Sequence, residues 1–163
     1  MILLKDAEAL VGLEWEEQLG EICAIDAQRF ALTVGDFNPL YFDDDYARAR
    51  GLKGMIVPPT FLTAMISWGI GAPEDRLLPD GMPPGHGQQP ENIRGLRRMA
   101  GGQNHKFHRP VYPAEALRRK TRITSVQERQ GRSGNFVTME WLDRYFNQRD
   151  ELLLECEVTS ILR

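Results

Sequence analysis

At 163 residues, with 42% hydrophobic, 26% charged and 9% aromatic residues, the chain can fill one core and lacks the bias of a disordered or fibrous protein. No run approaches the roughly 18 apolar residues of a membrane helix, and the opening stretch "MILLKDAEALVGLEWEEQ" has no basic leader, long apolar centre or cleavage site, so no signal peptide, membrane partner or export is expected. Net charge is −3 but uneven: Arg94 to Arg122 holds nine basic residues and one acid, Glu115, against 11 basic and 22 acidic residues elsewhere; because the overall balance is acidic and no nucleic-acid motif accompanies the patch, nucleic acid is not the expected partner.

Residues 4–11 read as a short helix ending at Gly12, and "EEQLGEICAI" as a weakly patterned strand. "IDAQRFALTVG" reads as a helix capped by Asp26, with Ile25, Phe30, Ala31 and Val34 at helical spacing and Gly35 as its stop. The turn "GDFNPLYFD" follows. A shorter helix within "FDDDYARARG" can be capped by any of Asp43, Asp44 or Asp45, and Gly51 ends it. In "PPTFLTAMISWGIG", Pro59 suits a first helical turn. Phe61, Leu62, Ala64, Met65, Ile66, Trp68 and Ile70 make the helix apolar nearly all round. Such a helix needs wrapping by the rest of the chain.

Residues 71–92 are rich in Pro and Gly and read as a long loop. In "NFVTMEWLDRYF", Val137, Met139, Trp141 and Tyr145 share one face. In "LLLECEVTSIL", Leu152, Leu154, Cys156, Val158 and Leu162 do the same. Period two with one apolar face specifies half-buried antiparallel strands. "RQGRSG" and "NQRDE" are their hairpin connections. "ALRRKTRITSV" is a poorer strand, because Leu117, Ile123 and Val126 do not fall on a single face. Cys23 and Cys156 have no metal spacing and make no disulfide framework, as in a reduced cytoplasmic protein; no metal is expected. The fold class is α+β in one domain, residues 1–163, a central helix against a long-stranded antiparallel sheet.

"GDFNPLYFD", "MIVPPTFLTAM" and "GGQNHKFHRPV", followed by alternating strands, resemble a MaoC-like hotdog domain of the N-terminal type related to fungal fatty-acid-synthase dehydratases. The resemblance covers roughly residues 8–163. It implies a long central helix in a curved antiparallel sheet, two such units per site, and reversible R-specific hydration of an enoyl thioester. No separate cofactor is implied; coenzyme A or an acyl carrier protein forms part of the substrate. Hydration needs a base for water, an acid for the alpha carbon and donors for the developing enolate oxygen. Active members that this sequence resembles read GD-x-NP-x-H at the turn. By position, Asp36 and Asn38 take the first two roles and Tyr41 stands where the histidine belongs. Tyrosine titrates near 10 rather than 6.5, so it donates a hydrogen bond but relays protons poorly. An aspartate in such a turn ordinarily accepts its own backbone N–H groups. The resemblance makes Asp36 a site position opening toward a thioester pocket at the helix head.

Pro59, Thr60 and Phe61 are the expected substrate-binding positions at that head, with Phe61 also a core residue. Pro59 lacks the N–H that a glycine there would offer. Arg94, Arg97, Arg98 and Arg109 are candidates for coenzyme phosphate contacts, although solvated strand faces explain the same charge. His105 and His108 are read as strand residues before displaced acids. Three readings follow. The chain is the degenerate half of a hydratase, as a homodimer or a heteromer with a second hotdog subunit. Alternatively it is self-sufficient, with Asp36 aided by Tyr41 or water, or it is a non-enzymatic acyl-thioester binder or scaffold.

Overall fold

The computed structural model describes residues 8–64, 73–77, 98–131 and 134–162. Among these residues five strands form one antiparallel sheet: β1 (Glu14–Glu21), β2 (Arg98–Phe107), β3 (Ala116–Gly131), β4 (Gly134–Asn147) and β5 (Leu152–Leu162). Their order is β1-β3-β4-β5-β2, so β1 and β2 are the edges. The chain from β3 to β5 runs as two consecutive hairpins. The second turns through Asp150 at φ 64°, where the Asn147 side-chain oxygen accepts from the N–H groups of Arg149 and Glu151 at 3.0 and 3.1 Å. This is the connection that "NQRDE" predicts.

The irregular pattern of β3 has a physical cause. A bulge between Ile123 and Ser125 inserts one residue against β4. Beyond a bulge the in–out alternation changes phase. Leu117, Thr121 and Ile123 before it and Val126 after it are therefore all buried, with Ile123 opposite Trp141 and Val126 opposite Met139. The same face carries Met139 and Tyr145 of β4 and Leu154, Cys156 and Leu162 of β5, all buried.

Helix α1 (Ala24–Thr33) starts earlier than its composition suggests. Cys23 is the N-cap residue and gives no side-chain cap, while Asp26 lies in the first turn and pairs with Arg29 at 3.5 Å. Its buried face is also narrower than the spacing implies: Ala27 and Ala31 are buried, whereas Ile25 and Val34 are exposed. Beta structure at the N-terminal side ends at Glu21, short of "ICAI". Among the described residues Glu8 is helical and residues 9–12 form a turn, so the helix stops short of residue 11; within the turn Gly12, at φ 91°, donates its N–H to the Ile123 carbonyl at 2.9 Å. Helix α2 (Asp44–Arg48) is capped as expected, Asp43 accepting from the Tyr46 N–H at 2.9 Å, and the chain leaves its end through Gly51 at φ 82°.

Helix α3 (Phe61–Ala64) is the described start of the apolar central helix; Met65 to Ile70 and the long loop fall largely outside the described residues. Phe61 and Leu62 are 3% and 1% exposed, within a cluster that includes Ile22, Leu117, Tyr145 and Leu154. The helix head is thus seated on the sheet.

The charge asymmetry resolves across strands. Arg118, Arg119, Lys120 and Arg122 of β3 lie beside β1, where Glu16, Glu17 and Glu14 supply partners: Arg118–Glu16 at 3.0 Å, Lys120–Glu14 at 3.2 Å, Arg122–Glu14 at 3.6 Å, and Arg119–Glu17. Opposite charges on paired strands favour this register. The cations of β3 are internally matched, which leaves them little excess charge for an outside anion.

Candidate functional site

Gly35, at φ 75°, lets the chain reverse after α1. The Asp36 N–H donates back to the Ala31 carbonyl at 2.9 Å. Asp36 Oδ1 accepts the Asn38 N–H at 3.2 Å, and Asn38 Oδ1 accepts the Leu40 N–H at 3.1 Å. Two successive side-chain turns thereby fix the 3-10 turn Pro39–Tyr41, which proline begins. The Tyr41 ring is buried, 6% exposed, and its hydroxyl donates to Asp36 Oδ2 at 3.2 Å. Gln28 of α1 donates to the Tyr41 carbonyl at 3.2 Å, which ties the turn to the helix before it.

Asp36, Asn38 and Tyr41 thus form one hydrogen-bonded unit, and its chemistry follows from its geometry. Burial raises the Tyr41 pKa above 10, and the negative charge and hydrogen bond of Asp36 raise it further; Asn38 offsets part of this. Tyr41 is a protonated donor at neutral pH. Both oxygens of Asp36 already accept hydrogen bonds. Asp36 is also solvent-exposed, with Leu32, Val34 and Phe37 exposed around it, Phe37 at 70%. Among the described residues the turn is an open face rather than an enclosed pocket.

The helix head lies against the same region. The Phe61 N–H donates to the Pro58 carbonyl at 3.0 Å. Its ring meets Phe30 of α1 edge-on, centroids 5.6 Å apart. The Ile56 N–H donates to the Leu40 carbonyl at 3.0 Å, joining the segment before the helix to the 3-10 turn. Pro59 and Thr60 are exposed at this head and Phe61 is buried beneath it. Pro59 brings no N–H, so Thr60 is the first exposed backbone position there that can carry one.

Arg94 and Arg97 lie outside the described residues, and Arg98 begins β2. Arg109 is ion-paired with Glu151. His108 contacts Glu155 at 3.0 Å. His105 instead faces the helix, its Nε2 3.2 Å from Thr63 Oγ1. Two contributions escaped the sequence reading. Gln28 gives no sequence signal of its reach to Tyr41. The exposed apolar rim was masked because Val34 fits a helical apolar face that the fold does not bury.

Residues 9–156 match the model of the FAS1-like dehydratase domain region. The chain belongs to that family. A UPF0336 protein of Parafrankia sp. (strain EAN1pec) is 30% identical over 111 residues, 68% of this chain and 65% of that protein. This chain's match thus spans just under two thirds of that relative's length. Among solved structures, the ChsH1-ChsH2 complex from Mycobacterium tuberculosis superposes with a TM-score of 0.73 at 17% identity, covering 98% of this chain and 92% of that one. The HadBC (3R-hydroxyacyl-ACP dehydratase) complex from the same organism gives 0.69 at 22% identity, covering 93% and 96%. The architecture is therefore the MaoC-like hotdog fold that the motifs imply.

Proposed function

We propose that this chain is one half of an R-specific enoyl-thioester hydratase or 3-hydroxyacyl-thioester dehydratase. It shapes the acyl site beside a second hotdog subunit that carries the complete aspartate–histidine pair. The observation that carries this reading is the Tyr41–Asp36 hydrogen bond at 3.2 Å. It fills the place of a proton relay with a phenol whose pKa lies above 10. A group so far from neutral pH is a weak general base or acid there. The exposed Leu32, Val34 and Phe37 beside the turn supply an apolar face that a second subunit would cover. Two of the structural neighbours are complexes of two different hotdog chains, which is in keeping with such pairing.

The test is co-purification from the native host followed by assay. The isolated chain is expected not to hydrate crotonyl-coenzyme A. The co-purified complex is expected to do so, with a partner retaining GD-x-NP-x-H. Full turnover by the isolated chain would overturn the proposal in favour of a self-sufficient enzyme.

A further inference from the structure

The loop between α2 and the head of α3 carries charge that the fold does not neutralise. From Tyr46 to Pro73 the sequence has no acid, yet Arg48, Arg50 and Lys53 stand within it. Elsewhere the cations are largely matched. Among the lysines and arginines whose side chains are described, Arg50, Lys53, Arg76 and Arg129 have no carboxylate partner. Arg76 follows two acids in the 3-10 turn Glu74–Arg76, and Arg129 follows Glu128 on β3. Of the four, Arg50 and Lys53 are the pair that share one segment, and both are exposed.

The segment that presents them is held at several points. Asp44 accepts from Arg48 Nη2 at 2.7 Å and from the Met55 N–H at 2.8 Å. Arg48 Nε donates to the Lys53 carbonyl at 3.4 Å. A Cβ at Gly54 would stand 2.8 Å from Asp44 Oδ1, so a larger residue there would displace that contact. The Lys53 N–H donates to the Tyr112 hydroxyl at 3.3 Å, and Lys53 Nζ lies 5.9 Å from the centroid of the same ring. The Arg50 guanidinium carbon sits 3.3 Å from the Tyr46 ring centroid, and its Nη1 donates to the Tyr46 carbonyl at 3.2 Å. One face of this guanidinium therefore rests on a tyrosine, and the exposed side chain turns the other to solvent. The loop also joins the candidate site: Gln28 Nε2 donates to Met55 Sδ at 3.6 Å and to the Tyr41 carbonyl at 3.2 Å, and the Ile56 N–H donates to the Leu40 carbonyl.

Two unmatched cations on a fixed loop favour an anion with more than one charge. A guanidinium plane seated on one ring offers its free face to a second flat ring, as arginine does with nucleic-acid bases. A purine nucleotide with several phosphate groups meets both demands. We propose that the loop from Arg48 to Met55 is the subsite for the nucleotide end of a coenzyme A thioester: Arg50 and Lys53 contact its phosphates, and the free face of Arg50 stacks on its adenine. This deepens the function proposed above and rests on its thioester substrate. A carrier protein presents one phosphodiester and no base, which leaves the stacking face unused.

The test is calorimetric titration of the full chain, with any hotdog subunit that co-purifies, using coenzyme A and phosphopantetheine. Arg50→Gln and Lys53→Gln are each expected to weaken coenzyme A about tenfold, the loss of one charge-assisted contact. Phosphopantetheine is expected to bind more weakly and equally to all forms. Arg129→Gln removes an equally unmatched cation on β3 and is expected to change neither ligand. Circular dichroism checks that the exposed substitutions leave the fold intact. Unchanged coenzyme A affinity in both loop variants, the same loss in Arg129→Gln, or no coenzyme A binding by the wild type overturns this inference. Equal weakening of phosphopantetheine also overturns it, in favour of a carrier-protein phosphate. Hydration of crotonyl-coenzyme A by the co-purified complex is measured in parallel. Turnover with an unchanged KM in both loop variants removes the subsite and leaves the proposed function standing. Coenzyme A binding that the loop variants weaken, without any hydration, removes the proposed function and leaves the subsite.

Discussion

Tyr41 joins two properties that are separable by mutation. Its ring is buried and its hydroxyl engages Asp36, so it contributes to stability through packing and through one hydrogen bond. Tyr41→Phe keeps the packing. Because Asp36 is exposed, water can replace the lost donor, and the expected loss is about 1 kcal/mol, read from urea unfolding. Asp36→Asn separates the functional readings. In a self-sufficient enzyme, removing the base should lower hydration of crotonyl-coenzyme A by about 10²- to 10⁴-fold. In the degenerate half proposed here, activity of the complex is expected to fall less than about tenfold, while circular dichroism shows an unchanged fold. The pattern of Asp36, Asn38 and Tyr41 was legible in the sequence because all three lie within one short turn. Their commitment to one another was not, since whether Tyr41 turns inward depends on Gln28 and the helix beneath it.

Hairpins are local and were read well, since period two marks β4 and β5; caps were read in part, Asp43 capping α2 as one of three candidate aspartates while Cys23, not Asp26, takes the N-cap position of α1. What sequence could not supply was pairing at long range. The in–out slip of β3 looked like a weak strand until its bulge against β4 was seen. Arg109 looked like a free cation because its partner, Glu151, is distant in the chain. That partner belongs to the β4–β5 turn and makes the turn sensitive to acid. Hydrogen bonds from Asn147, then from Arg109 and Arg149, lower the Glu151 pKa from 4.5 to about 2. Glu155 of β5 is lowered as well, through Arg144 first and His108 next. A carboxylate with a depressed folded pKa stabilises the fold above its unfolded pKa, and that contribution disappears as pH falls through the folded value. Stability is therefore expected to decline from near pH 4.5 toward pH 2. Urea midpoints measured across that range for the wild type and for Glu151→Gln check this; the variant is expected to start lower and to show a shallower decline.

Across the whole molecule, one face of the sheet carries two apolar clusters, one under the head of α3 and one around Ile123, Met139 and Leu162. Between them runs a polar belt. Thr121 Oγ1 donates to Asp143 Oδ1 at 2.5 Å, Trp141 Nε1 donates to Asp143 Oδ2 at 3.3 Å, and Arg119 bonds Glu17. Burial raises the Asp143 pKa, against the opposing pull of Arg119 and Thr121. Burial also opposes the charge on Arg119, but Asp143, Tyr145 and Glu17 outweigh it and the guanidinium stays charged. Its Nε is buried without a hydrogen-bond partner among the described residues, so the belt is incompletely satisfied there. Such a belt interrupts what would otherwise be continuous apolar packing, and buried ion networks add little net stability even when intact. Removing one member is different, because it leaves the others charged and desolvated. Arg119→Met alone is expected to cost about 3–5 kcal/mol. The triple change Glu17→Gln, Arg119→Met, Asp143→Leu removes the charges together and is expected to recover most of that loss, or to exceed wild-type stability. Urea unfolding of the single and triple variants decides it. Near-additive losses through the triple variant would mean that the belt itself, rather than the apolar clusters on either side, holds this face together.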